Sequence, residues 1–277
     1  MAKAVRHTVN RLGRKHGESD VDIPVAGDLA TVPGIPEIEA DVAFYSREYP
    51  LESQALEKAA DREWVWTVYT GEVVEYLKGH EERMKPLVAA ARVSGELEPT
   101  GQPEPGKDLT QDIRRRAREL GFGEVGFTRY DRHYTFASMK GWAKYEHAIC
   151  LALEQDYYQT QTIPSLEGEY AHFGTSEIQQ DLLLKLGDYI RSMGYHAQIH
   201  GVSFNSAVYI PMFVAAGLGQ LGANGQLLSP HFGSRARLMI ITTDAPIEYD
   251  EPLDYGIHAF CQKCHVCVNR CPGRALV

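Results

Sequence analysis

The chain has 277 residues, 44% of them hydrophobic, and a formal net charge of −9; this holds one large domain or two modest ones and excludes wholesale disorder. The acidic balance argues against broad nucleic-acid binding, and no run of about 18 apolar residues predicts a helical membrane span. The basic N-terminus (Lys3, Arg6, Arg11, Arg14, Lys15) leads into no apolar export segment and has no adjacent arginine pair, so the expected location is cytoplasmic.

Residues 1 to about 54 show no sustained period, and Ala26-Gly27-Asp28 and Val32-Pro33-Gly34-Ile35-Pro36 are loop signals. This part reads as an arm over a partner surface or a partly disordered tail. From Leu51 to Val93 apolar residues recur at helical spacing, with Trp64 and Trp66 as core candidates. Gly71, Gly79 and Pro86 are expected to break that helix into pieces. Residues 95–106 carry three prolines and three glycines and read as a linker or long surface loop.

Asp108 with Gln111 predicts a capped helix running to Leu120, with Gly121 at its C′ position. The basic run Arg114-Arg115-Arg116-Arg118 on it reads as a solvated face. Glu124–Tyr130 and His147–Leu153 are strand candidates, the second nearly all apolar and carrying Cys150 as a buried, inert thiol. Ser176–Met193 reads as one helix, with Ser176 and Gln179 as a second capping box and Gly194 as the stop. A strand over Tyr195–His200, a buried helix over Val208–Ala216 with Pro211 in its first turn, and a strand over Leu238–Thr243 follow. The chain divides into an N-terminal arm, helical region and linker (1–106), a central domain (107–256) and a cysteine-rich end (257–277).

That end reads Cys261-Gln-Lys-Cys264-His-Val-Cys267-Val-Asn-Arg-Cys271-Pro272, the spacing of a bacterial ferredoxin run. Thiolates two residues apart can grip several irons of one 4Fe–4S cube from a tight loop, whose N–H groups stabilise the sulfurs. Zinc is the rival, although structural zinc sites favour two separated ligand pairs. His265 is expected to face solvent. The fourth cysteine of such a run serves a second cluster, and no second run follows. The reading therefore expects a fragment, cut before its second cluster motif, or a partner that supplies the rest.

Upstream, glycines recur at Gly217, Gly219, Gly222, Gly225 and Gly233, with Asn224 before the fourth. They let backbone approach something closely. No strand leads into them and no acidic residue follows suitably, so this is not a dinucleotide fingerprint. On spacing alone a turn-rich core connector is the plainer reading.

The run from Ala215 to Gly225, then Phe232-Gly-Ser-Arg235, a hydrophobic strand, Thr243-Asp244-Ala-Pro and the cysteines resembles the reductive dehalogenases and, in order, the related epoxyqueuosine reductases. The resemblance covers about residues 108–277. It implies an α+β fold: a nitroreductase-like domain holding a corrinoid (a cobalamin), followed by the start of a ferredoxin-like 4Fe–4S module. It also implies an organohalide substrate and an electron donor such as ferredoxin or flavodoxin. Gly217, Gly219, Gly222, Asn224 and Gly225 become the candidate corrinoid contacts. Arg235 becomes a candidate for holding halide or a substrate anion, with a salt bridge at the sheet edge as its ordinary alternative; Asn205 and Tyr209 are further lining candidates. Such dehalogenases place an acidic tyrosine where Ser176 stands here; Tyr170, six residues earlier, is the nearest phenol and the candidate proton donor. Ala223 replaces a common basic residue, and Val202–Ala207 lacks the carboxylate of the epoxyqueuosine branch. Two alternatives stay open: an electron-transfer or interaction subunit with a degenerate site, and an epoxyqueuosine-reductase-like enzyme acting on tRNA.

Overall fold

The structure, a computed structural model, describes residues 6–7, 21–22, 71–162, 165–202 and 205–270. Most of the expected N-terminal arm, Trp64, Trp66 and Cys271 lie outside the described residues. In chain order the elements begin with the paired ribbon β1 (Arg6–His7) and β2 (Val21–Asp22), then helices α1 (Gly71–Val93) and α2 (Leu109–Leu120), and strands β3 (Glu124–Arg129) and β4 (His147–Glu154). The short turns α3 (Tyr157–Thr160) and α4 (Leu166–Glu169) lead into α5 (Thr175–Ser192), β5 (Ala197–His200) and α6 (Ile210–Ala215). Strands β6 (Gln220–Leu221), β7 (Leu227–Leu228) and β8 (Ala236–Thr243) precede α7 (Ile257–Cys264) and α8 (Val266–Arg270).

Strands β3, β4, β8 and β5 form, in that order, one antiparallel sheet. Its register aligns Phe127, Ile149, Ile241 and Ile199 in a row across all four strands, each fully buried. The next row is Gly126, Cys150, Ile240 and His200, which the pleat turns to the opposite face. The first face carries α5: a Cβ at Gly187 would lie 3.0 Å from Ile199. The second carries α6 and the glycine segment after it, because a Cβ at Gly126 would lie 3.0 Å from Ala216 and Leu218. The fold is therefore α+β, as expected, with helices on both faces of a small sheet. Burying side chains such as Phe127, Phe213, Ile149 and Leu186 completely contributes about 1.5–3 kcal/mol each.

Local signals explain most boundaries. Asp108 accepts from the Gln111 N–H at 3.0 Å, and Gly121 takes φ 113° just past α2, so cap and stop are as predicted. Arg114, Arg115 and Arg116 of the basic run on α2 pair with carboxylates. Arg114 pairs with Asp250 and lies over Phe127, while Arg115 and Arg116 pair along their own helix. Cys150 is fully buried, and burial pushes its thiol up.

Two expectations are corrected. Helix α1 runs unbroken through Gly79 and Pro86. Its inner face, Val73, Leu77, Met84 and Ala91, is buried, and tertiary burial outweighs the local cost of both breakers. Ser176 does not cap α5. A π-turn, Tyr170–Gly174, joins α4 directly to α5, and the buried Ser176 hydroxyl donates to the His172 carbonyl at 3.0 Å. A serine can satisfy itself within a helix by this back-bonding, so its presence does not require a start.

Both sheet edges are covered. Ser94, after α1, accepts from the Ile199 N–H at 2.7 Å on β5. The residue 94–106 segment is held to the body, since Thr100 and Gly101 N–H donate to the Arg191 carbonyl. On the other edge, the Asp250 carboxylate accepts from the Phe127 N–H at 2.8 Å. The strap after β8 thus runs along β3 and delivers the chain to the cysteine helix α7.

Candidate functional site

Antiparallel pairing brings the start of β3, the end of β4 and the start of β8 to one end of the sheet, where Glu124 faces Ala152 and Glu154 faces Ala236. Arg235 lies just before β8. Its guanidinium pairs with Glu154 and sits 5.0 Å from the Tyr157 ring centroid, while its buried Nε has no hydrogen-bond partner. Gln155 links two segments here: its N–H donates to the Arg235 carbonyl at 3.0 Å and its side chain to the Ala171 carbonyl at 3.2 Å. That joins the turn of Arg235 to the π-turn that opens with Tyr170.

Tyr170 is 42% exposed and packs edge-on against Tyr76 of α1, ring centroids 4.7 Å apart. Two residues on, burial and the nearby Arg237 and His80 depress the His172 pKa to about 4, so this imidazole is neutral at pH 7. Asn205 is exposed, whereas Tyr209 is buried and accepts from the Ser206 N–H, an ordinary core role.

The glycine segment is a hairpin. Strands β6 and β7 pair Gln220 with Leu228 and Leu221 with Leu227, and the Gly225 N–H donates to the Gly222 carbonyl at 2.9 Å. Gly225 has φ 74°, the left-handed residue that closes a three-residue hairpin loop. Asn-Gly between Leu221 and Leu227 was the available sequence signal for it. The close approaches of Gly217, Gly219 and Gly222 are to the chain itself: a Cβ there would lie 2.5 Å from the Glu251 carbonyl, 2.6 Å from the Leu228 carbonyl and 2.7 Å from Asn224. At the tip, Gly225 is exposed with open space beside it, and Asn224 is half-buried.

The hairpin and the cysteines come together. The Ala223 N–H at the hairpin tip points at Cys261 Sγ, 3.5 Å away. Gln220, which sequence reasoning missed, builds this junction. It is fully buried, and its Oε1 accepts from the Tyr255 N–H at 2.7 Å and the Ile257 N–H at 3.2 Å, the first residue of α7. Its amide donates to Asp254, and the Tyr255 hydroxyl donates to the Gly217 carbonyl at 2.6 Å. A buried amide with both ends engaged, unlike a surface Gln, leaves no pattern in sequence.

Cys261 and Cys264 lie three residues apart on α7; His265, at φ 50°, turns the chain, and Cys267 follows on α8. His265 is exposed, as expected. Among the described residues no three His, Cys, Asp or Glu side chains converge as a metal site. The donor set nonetheless fits an iron–sulfur cluster: soft thiols either side of one tight turn, with a backbone N–H aimed at one sulfur. Beneath the hairpin, Glu124 is buried and burial, with Glu154 nearby, raises its carboxyl to about 7 despite its bond to Ser229. A cleft lined by Arg129, Tyr130, Asp131, Glu146, Met212 and Ala215 opens at the opposite end of β3, and none of the predicted site residues is among its lining residues.

No family model matches the chain. It is 31% identical over 140 residues to the tetrachloroethene reductive dehalogenase of Desulfitobacterium hafniense, covering 49% of this chain and 25% of that protein. It is 40% identical over 76 residues to the epoxyqueuosine reductase of Lactococcus garvieae, covering 27% of this chain and 20% of that one. Among solved structures, the catabolic reductive dehalogenase NpRdhA matches with a TM-score of 0.63 at 23% identity, over 72% of this chain and 30% of that chain. The matched region thus spans about a quarter of the length of the dehalogenase relative.

Proposed function

We infer that this chain, similar over 140 residues to reductive dehalogenases, serves the corrinoid- and iron–sulfur-dependent reduction of an organohalide. The observation that carries the reading is the junction of the two motifs: the Ala223 N–H of the glycine hairpin meets Cys261 Sγ of the cysteine helix. A cluster held by these cysteines would lie next to the hairpin tip.

Cys261, Cys264, Cys267 and Cys271 would hold a 4Fe–4S cluster, with Cys271 serving a second cluster in a two-cluster arrangement. Asn224 and Gly225 would meet the corrinoid at the exposed tip, and Gly217, Gly219 and Gly222 would build the hairpin that presents them. The corrinoid, when bound, supplies the reduced cobalt chemistry that breaks the carbon–halogen bond. The chain's own groups orient and protonate. The half-exposed Tyr170 phenol is the candidate proton donor to the product carbon. Arg235, neutralised by Glu154 on one side, keeps a free buried Nε for an anion. Residues 107–256 would form the corrinoid-binding unit and 257–277 the start of the ferredoxin-type module. Ferredoxin or flavodoxin would be the class of electron donor to such a cluster. No helix among the described residues is long and apolar enough to cross a membrane, and a cytoplasmic site of action is the reading adopted.

The test is anaerobic reconstitution of the full chain with iron and sulfide, then with hydroxocobalamin. The expected result is a brown protein with iron and sulfide bound, and a shifted corrinoid spectrum on addition. A colourless protein that takes up zinc instead overturns the reading. The buried Ser176 in place of a phenol and the Arg235–Glu154 pair favour, as a second reading, an electron-transfer subunit. Cluster uptake with no corrinoid binding would select it.

A further inference from the structure

The loop of the glycine hairpin turns most of its donors inward. The Gly222 N–H donates to the Gln226 carbonyl at 2.8 Å, the Gly225 N–H to the Gly222 carbonyl at 2.9 Å, and the Gln226 N–H to the Asn224 side-chain oxygen at 3.2 Å. The Ala223 N–H is instead directed outward, to Cys261 Sγ at 3.5 Å.

That approach is braced from both sides. Gln220, three residues before Ala223, accepts from the Tyr255 and Ile257 N–H groups at the head of α7. Asp254 takes the Gln220 amide at 3.1 Å and the Gly256 N–H at 2.8 Å. Ala223 and Cys261, 38 positions apart in the chain, are thus held together through one fully buried side chain.

As a cluster ligand, Cys261 is a thiolate, a stronger acceptor than a thiol. Reduction adds negative charge to a cluster, part of it on the ligand sulfurs. A donor aimed at such a sulfur stabilises the reduced state more than the oxidised one and raises the reduction potential. Removing that donor therefore lowers the potential. Ala223 is exposed, so water replaces a lost N–H, but as a mobile donor where the amide is a fixed one.

We propose that the Ala223 backbone N–H is a redox-tuning donor, through which the glycine hairpin raises the reduction potential of the cluster that Cys261 helps to hold. This rests on the iron–sulfur part of the function proposed above and is independent of the corrinoid.

Potentiometric titration of the full chain, reconstituted anaerobically with iron and sulfide and followed by electron paramagnetic resonance, tests it. Ala223→Pro, which lacks the N–H, is expected to show a midpoint potential shifted below that of the wild type. Ala223→Ser, which keeps the N–H, is expected to titrate with the wild type. An unchanged potential in Ala223→Pro, or an equal fall in both variants, overturns the proposal. If Ala223→Pro holds no cluster, isotope labelling decides. In wild type grown with alanine labelled with heavy nitrogen, the reduced cluster should couple to a labelled nitrogen in pulsed electron paramagnetic resonance. That coupling should be missing from Ala223→Ser grown with the same label. No coupling that depends on residue 223 overturns the proposal. A chain that takes up zinc and no iron defeats the iron–sulfur reading itself, whereas a stable cluster indifferent to Ala223 defeats this proposal alone.

Discussion

Gln220 shows how one side chain couples two motifs. Its amide carbonyl accepts from the first N–H of the cysteine helix and its amide nitrogen holds Asp254, all within the buried hairpin. Removing it leaves half-buried backbone donors unpaired, a cost of up to about 1–3 kcal/mol. Gln220→Ala should therefore lower the melting temperature and, in anaerobic reconstitution, bind less iron per chain than the wild type. Equal iron content would mean that the cysteine helix is placed without this anchor. Ser176 teaches the converse at the same scale. A Ser with Gln three residues later matches a capping box in sequence, but the preceding π-turn continues the helix and the hydroxyl turns back to His172. Local chemistry offered two satisfied states for that serine, and the chain before it selected one.

Helix α1 makes the same point for an element. Pro86 is exposed within it, where it denies the Glu82 carbonyl its helical donor. The helix persists because Leu77, Met84 and Ala91 are buried along its inner face. Pro86→Ala restores that hydrogen bond and should stabilise the fold by about 1–3 kcal/mol, read as a rise in melting temperature. The glycine segment was legible as backbone needing freedom, and its hairpin was not. Its strands are two residues each, too short for alternation to register. Only Asn224-Gly225, between leucines, carried the signal.

Across the whole molecule, two buried groups give stability opposite pH slopes. His200 is fully buried between Ser206 and Thr242, and burial pushes its pKa to about 3 from the ordinary 6.5. The unfolded chain binds that proton first, so His200 supports stability above about pH 6.5 and withdraws it as pH falls towards 3. Glu124 goes the other way, from 4.5 to about 7: its contribution is full below about pH 4.5 and is lost as pH rises to 7. Thermal melts across that range should show His200→Gln flattening the acid limb and Glu124→Gln flattening the neutral one. A His200→Gln curve parallel to the wild type would refute the first assignment.

What the amino-acid sequence determined by itself was local and repetitive. Examples are the cap at Asp108, the stop at Gly121, the apolar run of β4 and the ferredoxin-type cysteine spacing. Each of these depends on residues within a few positions of one another, so its physics is written contiguously. The tertiary structure alone decided what lies far apart in the chain: Glu124 under Ser229, Arg235 beside Glu154, Gln220 at the head of the cysteine helix, and the hairpin tip against Cys261. Those contacts come from sheet register and from the strap that runs along β3. Register is a property of paired strands, and no single segment contains it.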